Sequence, residues 1–375
     1  MKTKSLPSIA LLSGCCTALL AAVAFAAPAT EGMTKGKVEF KSLGPIAFGP
    51  EGILFAADSR SAAITAIATE DTEPLEGAAP PNVEGIDRQI AAVLGTEPDQ
   101  LLVNDMAVNP ASGRVYLAVS RGRGDGAVPV LLRLDKENAP EIVDLSQVLS
   151  SRAVLPDAPP DAEVSDGRRS SNPRLESITD IAFFEDRVLV AGLSNEEFSS
   201  AFRAIPFPFR TVENGTSVEI YHGAHGRFET RSPVRTFVPF VLGTEPHLLA
   251  AYTCTPLVQL PIKQLVPGAQ IKGKTIAELG NRNRPLDMIV YKKDGKDWLL
   301  LANSSRGVMK IETHGIEESA AIEEPVSGGG IAGLPYETLS DWEGIEQLDR
   351  LDDSRAVVLR RSGSGSLDLA AMALP

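Results

Sequence analysis

"NDMAVNPASGRVYLAVSRGRGDGAVPVLLRLD", residues 104–135, decides the fold. An acidic entry, Asp105, leads into a short apolar run. A turn follows at Pro110-Ala111-Ser112-Gly113, and a second apolar run begins at Val115. A glycine-rich loop then separates it from a third run ending at Leu134. Short apolar runs bounded by Gly, Pro, Asn and Ser are strands joined by tight turns. Nothing here has the length or the 3.6-residue period of a helix.

The same phrase recurs. It stands at "GPIAFGPEGILFAADSRSAAITAIAT" (44–69), "TDIAFFEDRVLVAGLSNEEFSSAFRAI" (179–205), "RTFVPFVLGTEPHLLAAYTCTPLVQLPI" (235–262) and "LDMIVYKKDGKDWLLLANSSRGVMKIE" (286–312). A weaker copy is "EGIEQLDRLDDSRAVVLRRSGSGSLDLAAM" (343–372). A strand phrase returning at intervals of roughly 50–75 residues is the mark of a radial array of antiparallel blades. The expected fold is therefore all-β, a β-propeller with six blades. Seven remain open if 140–175 hides one, although "LPDAPPDAEVSDGRRSSNP" (155–173) reads as a Pro-rich loop. "KVEFKS" (37–42) has no blade of its own, and the final copy lacks a fourth strand. Pairing the N-terminal strand with the last blade would close the ring and hide two edges. One insertion, "VEGIDRQIAAVLG" (83–95), puts Ile86, Ile90, Val93 and Leu94 on one helical face, with Gly95 to end it.

The first 26 residues read as a secretory signal: Lys2 and Lys4, an apolar run, then Ala24-Phe25-Ala26 before Ala27, with cleavage near Ala26 and Ala27. Residues 27–375 then form a single propeller domain, periplasmic or secreted. A rival reading takes Leu12-Ser13-Gly14-Cys15 as a lipoprotein box that anchors Cys15. No later run is long and apolar enough to span a bilayer. The net charge of −13 argues against nucleic acid as a partner. A small molecule or an envelope protein remains as partner, with the chain itself a monomer. Beyond the signal only Cys254 is left of three cysteines, so no internal disulfide forms.

"IAFGPEGILFAAD" and "DMAVNPASGRVYLAV" resemble the inner two strands of NHL, YVTN and gluconolactonase-like propellers. "AYTCTPLV" and "ELGNRNRPLDMIVY" resemble phrases of a family of exported bacterial propellers without an assigned activity. The first resemblance implies, as one alternative, a metal-dependent hydrolase of the lactonase or esterase kind. In it Asp105, Asp180, Asp287 and Glu343 would hold a cation that activates water.

In a propeller, the loops entering each first strand and those joining second to third strands share one face. Asp105, Asp180, Asp287 and Glu343 are entry residues. Cys254 and Arg306 belong to second-to-third loops. "YHGAHGRFETRSP" (221–233) follows an outer strand and brings His222, His225 and Glu229 to the same face. Imidazole, carboxylate and thiolate suit zinc or copper, whereas carboxylates alone suit calcium. A Cys254–histidine nucleophile pair is a further option. The bland alternatives are turn-capping aspartates, a solvated two-histidine turn and a half-buried strand cysteine. The expected function is binding of a small ligand or metal at the channel mouth, with the hydrolase or an envelope scaffold as alternatives.

Overall fold

The structure, a computed structural model, describes Met1, residues 28–165, Gly167, residues 170–254 and residues 256–375. The signal reading, with Cys15, Ala26 and Ala27, lies outside the described residues. No helix among the described residues is long and apolar enough to cross a membrane.

The chain is a β-propeller. Its inner strands, numbered as blades in chain order, are Ile46–Phe48, Leu101–Val108, Asp180–Phe184, Val234–Leu242, Pro285–Lys293 and Ile345–Arg350. Each begins an antiparallel meander toward the outside. These six strands touch one another in a closed cycle in the order of blades 1, 3, 4, 5, 6, 2 and back to 1. An apolar core lies between each neighbouring pair. Phe55, Phe183 and Phe207 fill the junction of blades 1 and 3. Tyr116 with Leu54 fills that of 1 and 2, and Leu117 with Leu359 that of 2 and 6. Both faces of every blade are thus buried, which explains why second strands such as Ile53–Asp58 are apolar up to their last residue rather than alternating.

The cycle does not follow chain order, and two strand exchanges are the reason. After blade 2 the chain returns to blade 1, where Val148–Val154 pairs with Ala63–Ala68 as the fourth strand. The N-terminal strand Thr34–Gly36 pairs with that same strand, not with the last blade as expected. Blade 6 instead takes its fourth strand from Asn82–Val83, opposite Leu369 and Ala370. The N-terminal segment is a plausible partner only while the blades are assumed to run in sequence order. The Pro-rich stretch contributes a short hairpin, Val164–Ser165 with Ser170–Ser171. Its start is tied down by Asp157, whose carboxylate meets the Arg203 guanidinium at 2.8 Å, both buried.

The predicted helix forms at Ile86–Leu94 and ends on Gly95 in the left-handed conformation. Ile86, Ile90 and Leu94 pack into the core of blades 2 and 6, but Val93 is 42% exposed and lies off that face.

Blades 3 and 4 are joined more tightly than the rest. Their fourth strands, Thr216–His222 and Gln270–Leu279, pair in parallel from Ser217↔Gln270 to Ile220↔Gly273. The two blades become one continuous sheet. Gly273 permits the approach: a Cβ there would meet Val258 Cγ1 at 2.5 Å, Leu260 at 3.2 Å and Ile220 at 3.3 Å. Val258, Leu260 and Ile220 are fully buried and have nowhere to move. Gly273→Ala is expected to lower stability by about 1–3 kcal/mol through overpacking. Urea unfolding is the measurement, and an unchanged midpoint would mean that the seam yields.

Candidate functional site

Each inner strand carries, within it or just before it, one residue at an equivalent level around the axis. In cycle order these ring residues are Pro45, Asp180, Thr236, Asp287, Gln347 and Asp105, so acidic and non-acidic residues alternate. In four blades a register shift immediately precedes the ring residue, at Val103/Asp105, Val234/Thr236, Pro285/Asp287 and Ile345/Gln347. A bulge of this kind re-aims the side chain that follows it. The residues opposite Asp105, Asp180, Thr236 and Asp287 are all alanines: Ala118, Ala191, Ala251 and Ala302.

The carboxylates connect blades. Asp105 Oδ2 accepts from Ile46 N–H at 2.7 Å, Asp180 Oδ2 from Phe237 N–H at 2.7 Å and Asp287 Oδ2 from Leu348 N–H at 2.8 Å. Asp349, two residues past the ring in blade 6, accepts from Val108 N–H of blade 2 at 2.7 Å. Each bond crosses from one inner strand to its neighbour. With its nitrogen turned toward the axis, the Gln347 amide donates to Asp105 Oδ1 at 2.9 Å and Asp287 Oδ2 at 3.0 Å. The entry aspartates are therefore builders of the ring first, as the capping alternative held.

They also bound a cavity of about 560 Å³ along the axis, walled by Phe48, Phe183, Phe237 and Val290. The carboxylates keep some surface toward this cavity, whose lining mixes these polar groups with apolar side chains. Burial pushes the Asp180 carboxyl up to about 7, against the backbone N–H groups of Phe237 and Ile181 and the Thr236 hydroxyl that favour its charge. Burial likewise pushes Asp349 up to about 6. Asp105 and Asp287 are pushed well above the carboxylate range, again by burial, with repulsion among the acids adding to it.

The histidines form a separate cluster at the outer end of the seam between blades 3 and 4. None of His222, His225, Glu229 and Cys254 lines the axial cavity. His222 is not in the loop but ends the strand Thr216–His222, 1% exposed. Its Nδ1 lies 3.0 Å from Glu229 Oε2, and His225 Nδ1 lies 2.7 Å from Glu229 Oε1. The two imidazole rings stand 3.9 Å apart. Burial opposes ionisation of Glu229, but the two histidine hydrogen bonds outweigh it and bring its pKa down to about 2. An ionised carboxylate only accepts, so both histidines donate from Nδ1; as neutral imidazoles they would keep a lone pair on Nε2. Among the described residues, His222, His225 and Glu229 are the group whose ligand atoms lie close enough to hold one metal, all within 4.8 Å of one another.

Glu278 completes the surroundings. It sits on the fourth strand of blade 4, 0% exposed, with Oε1 held by Gly223 N–H at 2.5 Å. A strap from blade 5 covers the loop: Ile322 N–H donates to Thr275 O and Val326 N–H to Gly223 O, both at 2.8 Å. Burial, together with the charges of Glu229 and Glu278, pushes the Cys254 thiol up. That field works against a thiolate and leaves the Cys254–histidine nucleophile pair without support.

The remaining candidates separate further. Glu343 is exposed and lies outside the cavity lining, four residues before Gln347, which stands after its bulge as Asp287 does in blade 5. Arg306 packs over Gly280 and donates to Asn281 O at 3.4 Å, a contact between blades 4 and 5. Sequence reasoning misses Gln347, Asp349 and Glu278. The first two lie inside the strand "IEQLDR" rather than at its entry. Glu278 lies in "AELG", part of a phrase that stands out only for its resemblance.

The sequence matches no family model and no curated protein. Among solved structures, similar chains include a glucose dehydrogenase-type oxidoreductase from Thermus thermophilus, with 14% identity, TM-score 0.33, and 91% of this chain and 100% of that one covered. A PQQ-bound aldose sugar dehydrogenase from Streptomyces coelicolor gives 12%, 0.28, 91% and 98%. The C-terminal WD40 domain of Sif2 gives 10%, 0.36, 92% and 98%.

The ring has a pH signature. Asp180 titrates near 7 in the folded chain, against an ordinary value of 3.8. Between those values the folded state holds a proton that the unfolded state has released. Stability therefore falls as pH rises through that window. Asp180→Asn is expected to flatten the fall of melting temperature between pH 5 and 7 relative to the parent. Parallel profiles for the two proteins would show that Asp180 is ionised throughout.

Proposed function

We propose that this protein binds a small organic cation in its axial channel. The carrying observation is the cavity itself: apolar walls around a ring of carboxyl groups whose burial makes their charge costly. Each aspartate spends lone pairs on backbone N–H groups, yet retains others that face the axis. An ammonium group placed there would offset the mutual repulsion of Asp105, Asp287 and Asp180, while an apolar body would lie against Phe183 and Phe237. The leader read in residues 1–26 sets this binding in the periplasm or outside the cell, and that setting is part of the proposal.

The metal-assisted hydrolase reading has less behind it. Of the four acids it requires, Glu343 lies outside the cavity lining. The metal-competent cluster found among the described residues lies elsewhere.

Binding of a cation to a partly protonated ring releases protons, so affinity should rise with pH across the 6–7 region. Calorimetry with a panel of primary and quaternary amines, in two buffers of different ionisation enthalpy, reads both affinity and proton release. Tighter binding at pH 8 than at pH 5.5, weakened in Asp180→Asn, is the expected result. Absence of binding by every amine at both pH values, or binding indifferent to pH, would sink the proposal.

A further inference from the structure

Two buried polar atoms face each other at the seam of blades 3 and 4. His222 Nε2 and Glu278 Oε2 are 3.9 Å apart, and neither has a hydrogen-bond partner. Their residues are 1% and 0% exposed. Leaving such a buried atom unpaired is costly. A shared proton is a poor remedy, because a hydrogen bond between nitrogen and oxygen needs about 2.7–3.2 Å. A metal ion is a better one. Two ligands at metal bonds of about 2.0–2.2 Å stand about 3.3–3.6 Å apart in a tetrahedral site, so a small inward movement of either side chain closes this gap on an ion.

The rest of the surroundings is arranged to suit. Glu229 takes the Nδ1–H of both His222 and His225, and in neutral imidazoles that bond turns Nε2 into the nitrogen free to bind a metal. A carboxylate that orients ligating histidines from behind is a recurring feature of metal sites. Glu278 is itself oriented, since Gly223 N–H and, at 3.4 Å, Ala224 N–H hold its Oε1 and leave Oε2 to point at His222. The strap limits access from one side: a Cβ at Gly223 would meet Val326 at 2.8 Å and Ile322 at 3.0 Å. His225 is 44% exposed and provides the way in.

We propose that His222 Nε2 and Glu278 Oε2, together with the His225 imidazole stacked beside His222, form a binding site for a divalent transition metal, with Glu229 as the positioning carboxylate. Two imidazoles and one carboxylate favour zinc and its neighbours over calcium or magnesium. The site is independent of the axial channel and of the ligand proposed there. It lies where the fourth strands of two blades are welded, so the metal would fasten the strap and the histidine loop to that weld.

The test is metal uptake by the full chain, purified without nickel resin, stripped with chelator and titrated with Zn²⁺ and, for its visible spectrum, Co²⁺. One zinc per chain, micromolar or tighter, with a rise in melting temperature, is expected. Glu278→Gln and His225→Ala should each weaken binding at least tenfold, and Glu229→Gln about 10–100-fold. His222→Gln should do the same, but its buried position puts folding at risk. Glu278→Gln is close to isosteric and His225 is exposed, so those two variants keep the test sharp. No stoichiometric uptake, or uptake undiminished in Glu278→Gln and His225→Ala, overturns the site.

Discussion

The inner edge of every blade is a problem that the whole molecule has to solve. A strand bordering the axis has one row of backbone N–H groups with no strand to pair with, and a buried amide without an acceptor is costly. Asp105, Asp180, Asp287 and Asp349 supply the acceptors from the neighbouring blade. The bulge before the ring position turns the side chain toward the axis, and an alanine across from it leaves room. Four of the six junctions are fastened this way. The junction of blades 1 and 3 uses hydroxyls instead, with Ser59 Oγ donating to Ile178 O and Ser177 Oγ donating to Ser59 O.

That solution sets the chemistry of the axis. Carboxylates placed to hold the ring are thereby brought together in a poorly solvated tube, where they raise one another's affinity for protons. Alternation with Pro45, Thr236 and Gln347 keeps acidic ring positions from being immediate neighbours, and the Gln347 amide bridges two of them. The histidine cluster obeys a different logic. It arises where parallel pairing of two outer strands brings Glu278 against the end of the strand carrying His222. The two centres share an end of the propeller but not a lining residue.

Much of this is legible in the sequence, and the reasons are local. Apolar runs punctuated by Gly-Pro or Asp-Gly turns identify strands because turn geometry and burial are written in neighbouring residues. Asp105, Asp180 and Asp287 stand out for recurring at one place in the phrase, and the helix Ile86–Leu94 for its period. What cannot be read depends on contacts distant in the chain. The pairing of Asn82–Val83 with the last blade has no signature in two residues. Gln347, four residues past Glu343, holds the ring position in blade 6, and the weaker copy of the phrase carries no aspartate at that position to mark it. Glu278 becomes meaningful only when the parallel seam places it opposite His222, far from it in sequence.

The exchanged outer strands also govern the order in which the molecule can be finished. Gly85 N–H is bonded to Asp368 Oδ1, and Ala371 N–H to Pro81 O, across most of the length of the chain. A chain growing from its N-terminus carries the segment around residues 81–85 unpaired until Leu367–Ala373 has emerged. Blade 1 likewise waits for Val148–Val154, made after blade 2. Closing such distant loops carries an entropic cost before any contact repays it. The C-terminal strand is thus the clasp of the ring, and until it arrives the molecule is an open arc.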